Sequence, residues 1–257
     1  MSQDPNWSSA SYASDLGDFP GVHMAVDVAV MTVGEPDEKG RRHLMTLLTR
    51  RPEGFQAGTW VLPGRFVRFR ERLKDAAVIC LKEKAGITGY SPRQMMVLDN
   101  PDRDPRGWTM SVGHVVPVPF YVALKAVGES PMTRDLAVVT DRRIEFKTSQ
   151  QSLPMEQQRV INYAVDYLRT RYASRPDPKG FLGPVFTLSE LYEVHAAILG
   201  EAFLASLLQP PVSRMLTNLM TEVLASACTA SSPNNRCSCV QATTTSSCAS
   251  VFCTARM

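Results

Sequence analysis

Three groups of residues in this chain have the types and spacing to do chemistry. Residues 60–87, WVLPGRFVRFRERLKDAAVICLKEKAGI, read as a strand end, a tight loop at Gly64 and one helix. Leu73, Ala76, Ala77, Cys80, Leu81 and Ala85 recur at helical spacing, and Gly86 stands where a helix-terminating glycine belongs. The stretch offers Glu71 and Glu83 as carboxylates, and Glu83 reads equally as a solvated surface charge. Arg50 and Arg51 close an apolar run beside the turn Pro52-Glu53-Gly54. A guanidinium binds phosphate oxygens bidentately, so the pair is a candidate phosphate clamp; strand-end arginines also simply face solvent. Asp104, Arg106 and Trp108 crowd one loop, where a charged fork and an aromatic face would meet a ribose phosphate and a base. The same loop reads equally as a proline-rich turn capped by a buried tryptophan.

The elements that must position these residues follow from patterning. Val22 to Val33 is β-branched and alternating, and His43 to Arg51 is a second run, so the two predict a hairpin about the polar turn Glu35 to Arg42. Gln94 to Leu98 is a strand, and Thr109 to Leu124 a long apolar strand whose Pro117 and Pro119 place it at an edge or a bulge. Leu136 to Phe146 is a short strand with a turn at Asp141. Met155 to Ala173 is a helix with Pro154 at its first turn and Val160, Ile161, Ala164, Leu168 and Tyr172 on one face. A linker, RPDPKGFLG, precedes a helix that opens on the capping box Thr187-x-x-Glu190 and ends at Gly200.

At 257 residues, with 44% apolar and 21% charged residues, the chain has the composition of a globular protein of one or two domains. Its net charge of +3 names no partner. The N-terminus is polar and acidic rather than a signal peptide, and no run of about 18 apolar residues exists to span a bilayer. The expectation is a cytoplasmic protein without membrane contact. Of six cysteines only Cys80 precedes residue 228, which excludes a disulfide framework for the body of the chain.

Residues 60–87 resemble the Nudix box: glycine, five residues, glutamate, seven residues, then arginine, glutamate, an apolar residue, any residue, two glutamates, any residue, glycine and an apolar residue. Gly64 is followed by six residues before Glu71, so the loop is one longer. Beyond Glu71 the register holds, with Ile79 in the arginine slot and Cys80, Glu83 and Lys84 where the three metal-binding glutamates belong. A thiol is a poor ligand for a hard cation. A lysine ammonium about 4 Å from a divalent ion repels it by at most roughly 8 kcal/mol at an effective dielectric near 20. The resemblance thus implies a Nudix frame with weak or absent hydrolysis.

Leu47 to Arg51, WVLPGRFV (60–67), EKAGI (83–87), DPRGW (104–108), Ser111 to Val115 and FTLSELYEVHAAILG (186–200) together resemble the Nudix-related transcriptional regulators of NAD metabolism, over roughly residues 20–205. That resemblance implies an α+β fold: a Nudix-type mixed-sheet α/β/α sandwich, then a partial winged-helix-like helical segment and a disordered tail. It divides the chain into a flexible arm (1–20), a Nudix-like domain (21–150), a linking helix and linker (151–180), an altered winged-helix-like domain (181–225) and a low-complexity Ser/Thr/Cys tail (226–257). It implies ADP-ribose or a related nucleotide as ligand, operator DNA as partner and a homodimer. Arg50, Arg51, Arg65 and Arg68 would take phosphates, Trp60, Phe66 or Trp108 the adenine face, and Asp104 and Arg106 would flank them. No cofactor is required; Mg2+ enters only in the alternative, a hydrolase of an ADP-ribose-type diphosphate using Glu83 with Glu71 or Glu145.

The C-terminal part departs from that family. After Gly180 three basic residues, Arg214, Arg236 and Arg256, face four acids, Glu190, Glu193, Glu201 and Glu222, which is too little positive charge to neutralise several phosphates. Arg214 is the one basic residue of a possible helix from Pro210 to Leu224. Cys228, Cys237, Cys239, Cys248 and Cys253 lack paired zinc spacing. The composition suggests a change of reading frame near residue 205, with the natural winged helix missing or replaced.

Overall fold

A computed structural model describes residues 21–183 and 186–200. The expected helix from Pro210, Arg214, the N-terminal arm and the Ser/Thr/Cys tail lie outside the described residues.

One strand explains the architecture. β1 (His23–Val33) ends in VDVAVMTV, apolar apart from Asp27 and Thr32 because both of its faces are covered. Val26, Val28 and Val30 point to one side, where they pack with Ala76, Ala77, Cys80, Ala123 and Ala126. Ala29, Met31 and Val33 point to the other, against Val160, Ile161, Ala164 and Leu168. The result is a sheet between two layers of helices.

β1 pairs antiparallel with β2 (Leu44–Arg50), as the expected hairpin, and parallel with β6 (Thr109–Pro117). β6 in turn pairs with β5 (Arg93–Leu98), and β2 with β7 (Arg134–Thr140) and through it β8 (Arg143–Glu145). Two short strands, β3 (Trp60–Val61) and β4 (Gly64–Phe66), pair with β2 and β1. The mixed α+β sandwich expected from the resemblance is the fold observed.

α1 (Leu73–Cys80) runs into a wider π turn, Leu81–Ala85, and stops at Gly86, whose φ of 71° is the left-handed conformation a terminating glycine supplies. Arg134 secures this end, donating from Nε to the Lys84 carbonyl (2.8 Å) and from Nη1 to the Ala126 carbonyl (3.0 Å). The long loop before α1 closes through a turn in which Glu71 N donates to Arg68 O and Arg70 adopts φ 60°.

Two expectations fail. Thr109 to Leu124 is not one edge strand: β6 lies between β5 and β1, and α2 (Phe120–Gly128) follows it with Pro119 as N-cap. The prolines mark the strand end and the helix start, and the unbroken apolar run concealed the change of period. Pro154 is not in the first turn of the next helix either. α3 (Gln157–Tyr172) begins after Met155 and Glu156, which both hold positive φ, and its expected apolar face is buried.

α4 (Leu188–Leu199) carries the full capping box, Glu190 N donating to Thr187 Oγ1 and Thr187 N to Glu190 Oε2. It buries Val194 and Ile198 in the same core cluster as α3. No helix among the described residues is long and apolar enough to cross a membrane.

Candidate functional site

A cavity of about 550 Å³ opens where β1, the end of β2, β4, the 100–108 loop and the start of α3 converge. Seven basic residues line it (Arg50, Arg51, Arg65, Lys84, Arg103, Arg106, Arg134) against four acidic ones (Asp27, Glu53, Glu83, Asp104), so its wall is net cationic and suits an anion.

The floor is a buried polar network centred on Asp27. Its Oδ1 accepts from Gln157 Nε2 (2.6 Å), its Oδ2 accepts from Ser111 Oγ (2.6 Å), and Arg103 Nη2 lies 3.5 Å from the same Oδ2. Gln157 Oε1 accepts from Leu62 N at 3.0 Å, and Arg103 Nη2 donates to the Met155 carbonyl at 2.8 Å. Arg103 Nε is buried without an acceptor. Gly64 closes over this network so tightly that a Cβ there would stand 2.7 Å from Asp27 Oδ1 and 3.2 Å from the Val26 carbonyl. The glycine is required by close approach rather than by its dihedrals.

The mouth is aromatic and guanidinium-rich. Asp104 grips Arg106 in two parallel bonds, Nε to Oδ1 at 2.9 Å and Nη2 to Oδ2 at 2.7 Å. That bond holds the Asp104 carboxyl below the usual carboxylate range and raises Arg106 in turn. Fixed in this way, the Arg106 guanidinium lies 5.3 Å from the Phe55 ring centroid and 5.5 Å from that of Phe66. Arg51 stands 5.8 Å from the Phe55 centroid. Burial first, and the nearby Arg106 charge second, lower the Arg51 pKa, which marks a cation that gains from an arriving anion.

Of the residues singled out in the sequence, Arg50, Arg51, Arg65, Phe66, Glu83, Asp104 and Arg106 line this cavity. Trp60 does not: it packs against the core and its backbone is held by Gln150. Trp108 is 42% exposed, so it is not the buried cap of a turn, and it too is absent from the lining, as is Arg68. Glu71 accepts from Arg65 Nη1 (2.6 Å) and from Arg68 N (2.8 Å). The Arg68 N–H and then Arg65 hold its carboxyl below the usual range. Glu145, on β8, accepts from Thr140 Oγ1 at 2.5 Å and lies off the cavity.

Asp27, Phe55, Arg103, Arg134 and Gln157 line the cavity without having been singled out. Phe55 had a signal, an aromatic directly after the Pro52-Glu53-Gly54 turn. The other four come together only through the fold, Asp27 and Gln157 from strand and helix 130 positions apart.

A magnesium cluster does not fit these donors. Cys80 is fully buried, and burial first, then the Asp27 charge, push its thiol up to about 12. Its neighbour in the pattern, Lys84, is cationic, and among the described residues no three His, Cys, Asp or Glu side chains group to hold a metal ion.

No protein-family model matches the chain. It is 28% identical to the ADPR responsive transcriptional repressor NtrR of Acinetobacter baylyi over 185 residues, which is 71% of this chain and 69% of that one. It is 34% identical to an ADP-ribose pyrophosphatase of Methanocaldococcus jannaschii over 91 residues, 35% of this chain and 50% of that enzyme. The crystal structure of Shewanella oneidensis NrtR superposes with a TM-score of 0.55 at 24% identity, covering 72% of this chain and 84% of that one. A MutT/nudix family protein from Enterococcus faecalis superposes with a TM-score of 0.54 at 20% identity, covering 76% of this chain and 83% of the other. The chain has the Nudix fold. Within that Nudix fold the cavity lies over the loop at Gly64, beside the remnant of the box.

Proposed function

We propose that this chain is a nucleotide sensor that regulates transcription in NAD metabolism, binding an ADP-ribose-type ligand with little or no hydrolysis. The observation that carries the reading is the cavity itself: a cationic, aromatic-mouthed pocket whose chemistry suits a diphosphate, next to a helix that keeps one carboxylate, Glu83, of the three metal-binding positions and has a buried thiol and a lysine in the other two. The relation to an ADPR responsive repressor supports the ligand class and the regulatory role. Operator DNA is the partner this implies, and a cytoplasmic homodimer the working form. The three arginines and four glutamates after Gly180 predict weak DNA binding by this chain.

The relation to a pyrophosphatase favours a second reading, hydrolysis of the same ligand class. Thermal unfolding of the full chain with ADP-ribose, with and without magnesium, separates the two. A ligand at 100 times its dissociation constant adds about 2.7 kcal/mol to stability. Stabilisation independent of magnesium, with no phosphate product released, supports the sensor. Magnesium-dependent turnover supports the hydrolase and removes the sensor reading. DNA retardation by the full chain, relieved by ADP-ribose, tests the regulatory role.

A further inference from the structure

A second concentration of positive charge lies away from the cavity, around the ring of Tyr167 near the end of α3. The Arg93 guanidinium at the start of β5 and the Arg171 guanidinium one helical turn later each lie 5.5 Å from the ring centroid. Lys179 Nζ, from the linker that follows α3, lies 4.8 Å from it. None of these four residues lines the cavity. The ring is half-buried against the core, so it is a fixed platform. The linker turn is fixed as well. The Asp177 carboxylate accepts from Tyr172 Oη (2.5 Å), Phe181 N (3.1 Å) and Leu182 N (2.9 Å), and the Phe181 and Tyr172 rings stack with centroids 5.7 Å apart.

Those bonds engage the only acid of residues 169–179, a stretch that also carries Arg169, Arg171, Arg175 and Lys179. Among the described residues Arg93, Arg171 and Lys179 pair with no carboxylate. Like charges held together without a counter-ion repel one another, and attraction to a single ring offsets only part of that. Burial alone would raise the Tyr167 phenol, yet the hydrogen bond from Lys179 and the charges of Lys179, Arg93 and Arg171 hold it below its usual range, which reports a positive potential at the hydroxyl. We propose that Arg93, Arg171, Lys179 and the Tyr167 hydroxyl form a second anion site, separate from the nucleotide cavity, that takes the phosphate dianion, free or as a phosphate monoester. The guanidinium groups supply paired donors to phosphate oxygens, the lysine a point charge and the phenol one more donor. The cations come from three elements and converge on one ring instead of forming a row, which matches a single compact anion better than a run of nucleic-acid phosphates. An occupied site pins the linker that leads into α4 to the sandwich.

The test is carbon-13 NMR of the full chain with ring-labelled tyrosine, the Tyr167 resonance being assigned by its loss in Tyr167→Phe. Inorganic phosphate and glycerol phosphate are titrated in turn at constant ionic strength and about pH 7.5, where the phosphate group is largely doubly charged. The resonance is expected to shift saturably with phosphate and not with sodium chloride. Lys179→Gln and Arg93→Gln each lose about tenfold in affinity, one charge-assisted hydrogen bond, while Arg143→Gln, the same change of charge on β8, responds as the native protein does. Saturation by both ligands assigns the site to the phosphate group in general, and saturation by one alone assigns it to that source. The absence of a saturable shift, a chloride response of equal size, or Lys179→Gln and Arg93→Gln proteins that bind as tightly as Arg143→Gln overturns the site. So does a shift produced by duplex DNA and by neither phosphate, which makes the patch a nucleic-acid surface instead.

Discussion

Gln157 Nε2 donates to Asp27 Oδ1 at 2.6 Å, which ties the first residue of α3 to the buried centre of β1 directly beneath the cavity. The same amide accepts from Leu62 N, so one side chain joins the helix layer, the sheet and the strand end before Gly64. Replacing it with leucine strands a buried carboxylate oxygen and a buried N–H together. Gln157→Leu is expected to lose about 2–4 kcal/mol in urea unfolding, and a loss under about 1 kcal/mol would show that the network carries no such tie.

Gly64 and Gly128 make a matched pair of tests. A Cβ at Gly64 would meet Asp27 Oδ1 at 2.7 Å and backbone at 3.2 Å, and neither neighbour can withdraw without breaking the floor. A Cβ at Gly128, the last residue of α2, meets nothing within 4 Å. Gly64→Ala therefore costs about 1–3 kcal/mol, while Gly128→Ala is neutral or stabilises by up to about 1 kcal/mol. Thermal unfolding of the two proteins side by side decides it; equal effects would contradict the close approach.

The local signals of the sequence and the cavity floor differ in how far they reach along the chain. Gly86, the capping box at Thr187 and Glu190, and the buried face of Val160, Ile161, Ala164, Leu168 and Tyr172 are each set by residues within a few positions of one another, and each is observed as expected. The run from Thr109 to Leu124 misled because apolar residues without alternation fit a doubly covered strand and a buried helix equally well. Only the pair of prolines records the boundary. The mouth was half legible, through arginines and a DPRGW loop whose types suit phosphate. The floor was not legible, because Asp27, Arg103, Ser111 and Gln157 are unremarkable where they stand and acquire a role only when β1, β6 and α3 meet.

Acid should weaken the Asp104–Arg106 pair. Arg106 holds the Asp104 carboxyl below its ordinary range in the folded chain. A depressed folded pKa contributes stability that is complete above the unfolded value, about 3.9 for aspartate, and is lost as pH falls through the folded one. Native protein and Asp104→Asn should therefore differ in melting temperature at pH 7 and converge as pH drops below about 4, the range in which the unfolded carboxylate protonates. A difference that persists unchanged to the acid end would assign Asp104 a role other than ionic.

Phe55 and Trp108 allow the position of the base to be checked without touching the floor. Phe55 is 40% exposed, lines the cavity and is flanked by the guanidinium groups of Arg51 and Arg106, whereas Trp108 is similarly exposed but lies outside the lining. Stacking of a base on an aromatic side chain is worth about 1–3 kcal/mol, so Phe55→Ala is expected to weaken binding of both ADP-ribose and ADP by about tenfold. Trp108→Ala should leave both within about twofold, since a side chain that makes no contact with the ligand contributes little to its affinity. The two ligands move together here because the base is common to both. If Trp108→Ala proves the more damaging, the base lies along the 100–108 loop outside the cavity, and the mouth formed by Phe55, Arg106 and Phe66 is not where it stacks.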